Sequence, residues 1–287
     1  GEAQPTATNA ELAAMMVGRP VELTVHKDPA EPGEEVLSVE RLRVFDDAGR
    51  VHVDDVSFSI KAGEILAVAG VQGNGQTELT EALLGLQDHV QGSIRLRGKE
   101  LVGRSVRHIL DSGVGFIPED RQVEGLVGQF TITENLMLNR SHDREFVRHG
   151  TLQLARLDTF AKEKLAEYDV RAPGVTSLAD ELSGGNQQKV VVARELSRDL
   201  ELLVAAQPTR GVDVGSIEFI HKQIVAGRDA GVAVLVVSTE LDEVAALADR
   251  IMVLYRGRVV GIVPGDTPRE VLGLMMTGER PEGAIPA

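Results

Sequence analysis

Hydrophobic positions along this chain follow two rhythms. Val36–Val44 and Val51–Ile60 alternate apolar with polar residues, the period-two pattern of half-buried strands. Ile65–Ala69 is apolar throughout, the mark of a central parallel strand, and Leu79, Leu83 and Leu86 then recur on one helical face. Gly92–Leu101 predicts a short strand, a turn at Gly98 and a return, and Val114–Ile117 a further strand stopped by Pro118. Helical spacing dominates from 131 to about 199, in Ile132–Leu138, Leu154–Tyr168 and Gln187–Leu196, so a mostly helical insert is expected there. Strands and helices then alternate again: Leu202–Ala206, a helix striped by Ile217, Ile220 and Ile224, Val232–Ser238, and a helix carrying Leu241, Val244 and Leu247. A hairpin-like pair, Ile251–Tyr255 and Val259–Val263, follows around Gly257. Such alternation predicts an α/β fold, a largely parallel sheet covered on both faces.

The ends do not share this rhythm. Residues 1–34 read as a linker, broken by Pro29, Pro32 and Gly33 and charged over Glu31–Glu35. Within it, Thr8–Gly18 resembles Thr267–Gly278 with a one-residue gap, so residues 8–18 are read as the tail of a preceding homologous domain; chance similarity of two amphipathic segments is the alternative. The first residue is Gly, consistent with a piece of something longer. One large domain is expected over 35–280, with the helical insert at about 131–199 and a short tail at 281–287.

Composition narrows the chemistry. The 287 residues are 43% hydrophobic and 26% charged, an ordinary globular mix, and no apolar run is long enough to cross a bilayer. A net charge of −14 argues against a nucleic-acid partner, and the lack of cysteine removes disulfides and thiolate metal sites. The seven histidines are scattered, and His52, His89 and His149 are read as solvated or supporting groups, not metal ligands.

Between the buried strand and the helix at Leu79 lies Gly70-Val-Gln-Gly-Asn-Gly-Gln-Thr77. Gly70, Gly75 and Thr77 fit G-x-x-x-x-G-K-[ST], with Gly73 as an extra glycine, but Gln76 stands where the lysine belongs. Backbone N–H groups of Gln72 to Glu78, Asn74 among them, together with the helix N-terminus, can cradle phosphates. Gln76 supplies only a neutral amide, which weakens the hold on a triphosphate. Thr77 keeps a hydroxyl suited to magnesium, a weak candidate metal ligand. A ligand-free glycine turn is the competing reading.

Leu182-Ser-Gly-Gly-Asn-Gln-Gln-Lys189 is the most specific stretch: a serine and two glycines open a helix and leave its backbone donors facing outward. With the loop upstream, this resembles the signature of ATP-binding cassette (ABC) proteins in the form typical of simple-sugar importers. The resemblance covers residues 36–278. It implies an ABC-type P-loop NTPase fold, with an antiparallel β subdomain beside the core sheet and a helical signature subdomain.

The departures matter as much. In the family an apolar strand ends in Asp-Glu-Pro-Thr; here Ala206 replaces the magnesium aspartate and Gln207 the glutamate base. Thr239 replaces the switch histidine after Ser238, and Glu119 a loop glutamine, although Pro118-Glu-Asp-Arg121 resembles the second cassette of sugar-importer subunits. A carboxamide cannot take a proton near neutral pH, nor can a methyl orient a hydrated cation. No catalytic group is therefore expected to be intact. What the resemblance implies is the second, C-terminal cassette of a tandem subunit in the nucleoside and simple-sugar branch. Its own loop would hold ATP and Mg²⁺ weakly or not at all, while Ser183, Gly184, Gly185, Asn186 and Gln187 serve the ATP of the first cassette. Asp213 would lie in the interface turn. Partners would be that first cassette, the membrane permease through Glu119–Leu126 and the start of the helical insert, and indirectly an extracytoplasmic binding protein. The place would be cytoplasmic, peripheral on the inner membrane face. The alternatives are a non-catalytic module that holds the permease without nucleotide, and a soluble cassette of another trade. Phe45, a candidate for stacking on adenine, is better read as an ordinary core or edge residue.

Overall fold

The structure is a computed structural model that describes residues 25–140, 143–148 and 150–280. The repeat at 8–18, the linker before residue 25, His149 and the tail at 281–287 lie outside the described residues. Two compact units make up the chain. One contains 27–116, 199–207 and the chain from 224 onward; the other contains 117–198 and 208–223.

The first of these units is built on two sheets. β1 (Glu35–Phe45), β2 (Val51–Lys61), β4 (His89–Leu96) and β5 (Lys99–Glu100) form an antiparallel sheet in the order β2-β1-β4-β5. Its alternating strands bury Leu37, Val39, Leu42 and Val44 from β1 and Val53, Val56, Phe58 and Ile60 from β2, as the period-two pattern requires. The second sheet has the order β12-β11-β3-β10-β9-β6, with β3 (Ile65–Ala69), β6 (Val114–Ile117), β9 (Leu202–Ala206), β10 (Ala233–Ser238), β11 (Arg250–Tyr255) and β12 (Arg258–Pro264). β3, β9 and β10 are buried at every position, which is why their sequences are continuously apolar. β10 runs parallel to both β3 and β9, pairing Ser238 with Ala69 and Val237 with Ala206. The carboxyl ends of the three strands therefore lie side by side. α1 (Gln76–Leu83) follows β3, α2 (Val106–Asp111) precedes β6, α7 (Leu241–Leu247) follows β10 and α8 (Arg269–Met276) closes the described chain.

The opposite end of β3 is closed by charge. Ile65 N–H donates to Asp249 Oδ2 at 2.8 Å, and Asp249 Oδ1 accepts from Lys27 Nζ at 2.6 Å and from Arg228 Nη1 at 3.0 Å. Lys27 also donates to the carbonyls of Leu247 and Ala248, the end of α7, where a cation is favoured by the helix dipole. Arg228, 2% exposed, reaches the carbonyl of Asp28. Burial pulls the Lys27 ammonium below its usual pKa, outweighing the pull of Asp249 in the other direction. The linker expected over 1–34 is thus anchored at Lys27 and Asp28, and again where Gly33 N–H donates to Ala62 O.

The other unit is not wholly helical. α3 (Ile132–Met137) opens with a capping box between Thr131 and Glu134, and α4 (Leu154–Glu167) and α5 (Gly184–Leu196) follow. Between α3 and α4 a hairpin pairs β7 (Val147–Arg148) with β8 (Thr151–Leu152), strands too short to leave a period in the sequence. The unit starts at Ile117, ahead of the position where helical spacing begins, because the loop after β6 coils into one π-helical turn, Arg121–Gly125, whose amides are capped by Asp120. It also takes in the start of α6 (Val214–Asp229). Asn135, fully buried, ties the loop before α3 to that helix: its Oδ1 accepts from Val127 N–H at 2.8 Å and its Nδ2 donates to the carbonyls of Val127, Phe130 and Thr131. Arg140 lies over both Phe146 and Phe160, 4.9 and 4.8 Å from the ring centroids.

The charge cluster at the base of β3 predicts a large effect from one truncation. Asp249→Ala removes the acceptor shared by Ile65 N–H, Lys27 and Arg228 and leaves the buried Arg228 guanidinium with Asp229 as its remaining carboxylate, and should lower stability by about 1–3 kcal/mol. Denaturant unfolding reads this directly, and a loss below ~1 kcal/mol would mean that the pair behaves as a surface one.

Candidate functional site

The glycine loop leaves β3 at its carboxyl end and enters α1. Gly73 and Gly75 adopt φ of 86° and 100°, left-handed values that L side chains resist. A Cβ on Gly75 would stand 2.5 Å from His52 O, so glycine is required there by space as well as by conformation. Gln72, Gly73 and Thr77 are exposed, Asn74 and Glu78 half-buried, and Gly70 and Gly75 buried. Asn74 is the keystone of the loop: its Nδ2 donates to Val71 O at 2.9 Å, its Oδ1 accepts from Arg256 N–H at 2.7 Å, and its carbonyl accepts from Gly257 N–H at 3.0 Å. Gln76 is 7% exposed, with its amide turned back into the loop. Glu78 pairs with His52, Oε1 to Nδ1 at 3.1 Å, which joins the first turn of α1 to the antiparallel sheet. Phe45 ends β1, half-buried, opposite Val51 and His89.

Strand register brings the other altered positions to the same edge. Ala206 is the last residue of β9, 6% exposed. Gln207 follows with φ 49°, its N–H held by Val237 O at 2.7 Å. Its carboxamide meets Thr239: Nε2 donates to Thr239 Oγ1 at 3.2 Å, and Oε1 accepts from Thr239 N–H at 3.3 Å. The two residues thus satisfy one another as a neutral pair, with no carboxylate or imidazole in it. The loop, Gln207 and Thr239 share the carboxyl edge of the parallel strands, the usual place for a ligand in such sheets.

The second stretch, Ser183–Gln187, begins α5. Ser183 is the N-cap; its Oγ accepts from Asn186 Nδ2 at 3.0 Å and from Asn186 N–H at 3.4 Å. Asn186 Oδ1 in turn accepts from Arg171 N–H at 2.8 Å. Ser183 is exposed and Gly184 half-buried, so the first turn of the helix has an open end. Gly185 is needed for close packing, and Gly184 lies against the flexible end of Arg121. A Cβ on Gly184 would lie 2.5 Å from Arg121 Nη2, and one on Gly185 would lie 2.4 Å from Asp213 Oδ2. Gln187 faces inward at 4% exposed, donating to Ala179 O at 3.0 Å, so it holds the helix and does not present an open amide. Lys189 is likewise internal, bonded to the carbonyl and carboxylate of Asp169 and lying 4.8 Å from the Phe219 centroid.

Glu119 forms an ion pair with Arg210. Beside it Arg121 spans three segments: Nη1 donates to Arg210 O at 2.9 Å, Nη2 to Gly211 O at 3.2 Å, and Nε to Gln187 Oε1 at 3.4 Å. Glu119, Asp120, Arg121, Gln122, Arg210 and Gly211 line an open cleft of about 240 Å³. Sequence reasoning marked this charged loop but missed the roles of Arg121 and Arg210; the only signal was two arginines in proline-containing loops 89 residues apart in the chain. Asp213 caps α6. Burial would raise its carboxyl pKa, but the Ser216 hydroxyl and amide, at 2.9 and 3.0 Å, hold it below the usual carboxylate range.

The sequence pattern of the family described as "ABC transporter" matches residues 53–210. The chain belongs to that family. It is 47% identical over 269 residues to the guanosine import ATP-binding protein NupO of Bacillus subtilis (strain 168), covering 93% of this chain and 53% of the relative. It is 44% identical to the nucleoside import ATP-binding protein NupA of Lactococcus lactis, covering 94% and 54%. The chain therefore spans about half the length of the curated relatives it matches. Among solved structures, an ATP-binding cassette of an ABC transporter, MJ1267, in its ADP conformation superposes with a TM-score of 0.68 at 19% identity, over 85% of this chain and 96% of that one. A nucleotide-free ATP-binding cassette from an ABC transporter gives 0.69 at 20% identity, over 84% and 95%. The expected fold is borne out: an ABC cassette, α/β with a mostly parallel sheet, an antiparallel subdomain and helices.

Nucleotide in this fold generally comes with magnesium, and the residues here fit the ion poorly. The Thr77 hydroxyl is a lone candidate oxygen, the Ala206 methyl is buried where the family has a carboxylate, and among the described residues no group of three His, Asp or Glu side chains converges on a metal. The glycine loop, by contrast, runs from β3 into α1 through left-handed Gly73 and Gly75, and backbone amides in such a loop could hold a phosphate.

Asp213 couples stability to pH in the acid range. With its native pKa below the unfolded value, its contribution to stability is full above about pH 4 and is lost as pH falls through the lowered native value. In acid titrations of unfolding, Asp213→Asn should be flatter than the wild-type chain below that point. Identical profiles would show that the cap contributes nothing.

Proposed function

We propose that this chain is the C-terminal cassette of a tandem ATP-binding subunit that drives import of a nucleoside or simple sugar. Its own phosphate loop is a degenerate site, and its signature helix completes the nucleotide site of the first cassette. The observation that carries this reading is the contrast between the two stretches. At the loop, Gln76, Ala206, Gln207 and Thr239 stand where a cation, a metal carboxylate, a base and an imidazole would act, and their polar groups are bonded to one another or to the loop. At α5, the capping serine is exposed and its glycines are packed. A site without charge stabilisation at its reacting centre loses on the order of 10²–10³ in rate for each missing donor, and groups acting as a unit do not add independently.

Half-length coverage of the relatives supports a subunit with room for another cassette, and the guanosine and nucleoside import of NupO and NupA supports the nucleoside branch. In this reading ATP is sandwiched between the loop of the first cassette and Ser183 to Asn186 of this one, with Gln187 holding that turn in place and Asp213 in the turn beside it. The Asp120-capped turn exposes Val123, at 79%, and Val127 and Phe130 beyond it, an apolar margin suited to a permease. Among the described residues no helix is long and apolar enough to cross a membrane, so attachment to the inner face would come through that permease, and contact with an extracytoplasmic binding protein would be indirect.

The isolated chain, given magnesium and ATP, should release no phosphate above a blank, and Thr77→Ala should change nothing. Magnesium-dependent turnover that Thr77→Ala abolishes would contradict the proposal. Calorimetry decides the other alternative: a chain that gives no heat up to millimolar nucleotide is a permease-holding module and not a nucleotide-holding site.

A further inference from the structure

The carboxamide of Gln76 is not idle in the loop. Its Nε2 donates to Val71 O at 3.0 Å, and its Oε1 accepts from Asn74 N–H at 3.0 Å. A Cβ on Gly70 would stand 2.6 Å from Nε2, so the amide fills the hollow above that glycine. The ring is closed on its other side by Asn74 Nδ2 on the same Val71 carbonyl. One side chain thereby satisfies a donor and an acceptor of the loop at once. A lysine could offer a proton to Val71 O but has nothing to accept the Asn74 N–H, which would stay available to an anion; a phosphate offers only acceptors. Gln76 alone matches both.

We propose that Gln76 is an internal ligand of its own phosphate loop: it competes with nucleotide phosphate for the Asn74 amide and the space over Gly70, and this competition limits nucleotide affinity. The inference rests on the reading of this loop as a holding site without turnover, and it goes beyond it. Loss of the lysine removes an attraction; the latch adds an obstacle. The two make opposite predictions for a truncation. If Gln76 assists binding with a neutral hydrogen bond, Gln76→Ala weakens binding. If it is a latch, Gln76→Ala tightens binding, because two internal hydrogen bonds no longer have to be broken first.

The test is calorimetry of ATP with the 287-residue chain and its variants, each checked for an unchanged thermal melt. Gln76→Ala should bind about three- to tenfold more tightly than wild type, the scale of one net hydrogen bond, and Gln76→Lys more tightly still. Equal or weaker binding by Gln76→Ala overturns the latch, and so does an absence of binding by both proteins. Hydrogen exchange supplies a second measurement that needs no nucleotide: the Asn74 amide should be protected in wild type and exchange faster in Gln76→Ala. An unprotected Asn74 amide in wild type overturns the proposal. Turnover by the wild-type chain would overturn the reading of the loop as inert while leaving the affinity comparison to judge the latch.

Discussion

The register of three parallel strands sets everything at the nucleotide edge. Because β10 pairs Ser238 with Ala69 and Val237 with Ala206, the chain must leave β3, β9 and β10 at one level. The residues that follow, the glycine loop, Gln207 and Thr239, are thereby gathered although they are far apart in sequence. The other end of β3 is fixed by the Asp249 carboxylate, which binds Ile65 N–H together with Lys27 and Arg228. A strand pinned at its base and buried at each position has little freedom to shift its far end. Chemistry at the edge therefore depends on which side chains occupy fixed places.

Those side chains replace charge with self-sufficiency. Gln207 bonds Thr239, and Gln76 bonds its own loop, so each carboxamide finds its partners within the protein. Neutral amides in these places avoid the cost of burying unpaired charges, and they keep the shape of a site while removing what would drive a reaction. The signature helix differs in kind. Its glycines are fixed by close contacts with Arg121 and Asp213, its cap is satisfied, and its inward residues Gln187 and Lys189 are anchored within the unit. In the proposed reading, the chain keeps rigid what a neighbour would use and makes inert what it would use itself.

Much of this could be read from the residues alone. Period-two alternation located β1 and β2, continuous apolar runs located β3, β9 and β10, and Leu182–Lys189 marked both a helix start and a family. Gln76, Ala206, Gln207 and Thr239 stood out because short motifs carry fixed spacing. Contacts between distant segments left no such trace. Lys27 reaches Asp249 across 222 residues, and Arg121 reaches Gly211 across 90. The β7–β8 hairpin is too short to show a period, and the π-helical turn at Arg121–Gly125 owes its shape to the Asp120 cap more than to any hydrophobic pattern. The orientation of Gln76, which turns a missing charge into an occupied cradle, is likewise a matter of three-dimensional hydrogen bonding.

The central claim is that this chain's contribution to turnover lies in its signature helix and not in its loop. The most direct test is ATP hydrolysis by the longer subunit, assembled with its permease, carrying Ser183→Arg. A guanidinium at the start of α5 would block the nucleotide site that the helix completes, so turnover should fall by at least about 10² while the subunit stays folded, its melt lowered only by the lost serine cap. Undiminished hydrolysis by a folded Ser183→Arg subunit would contradict the account.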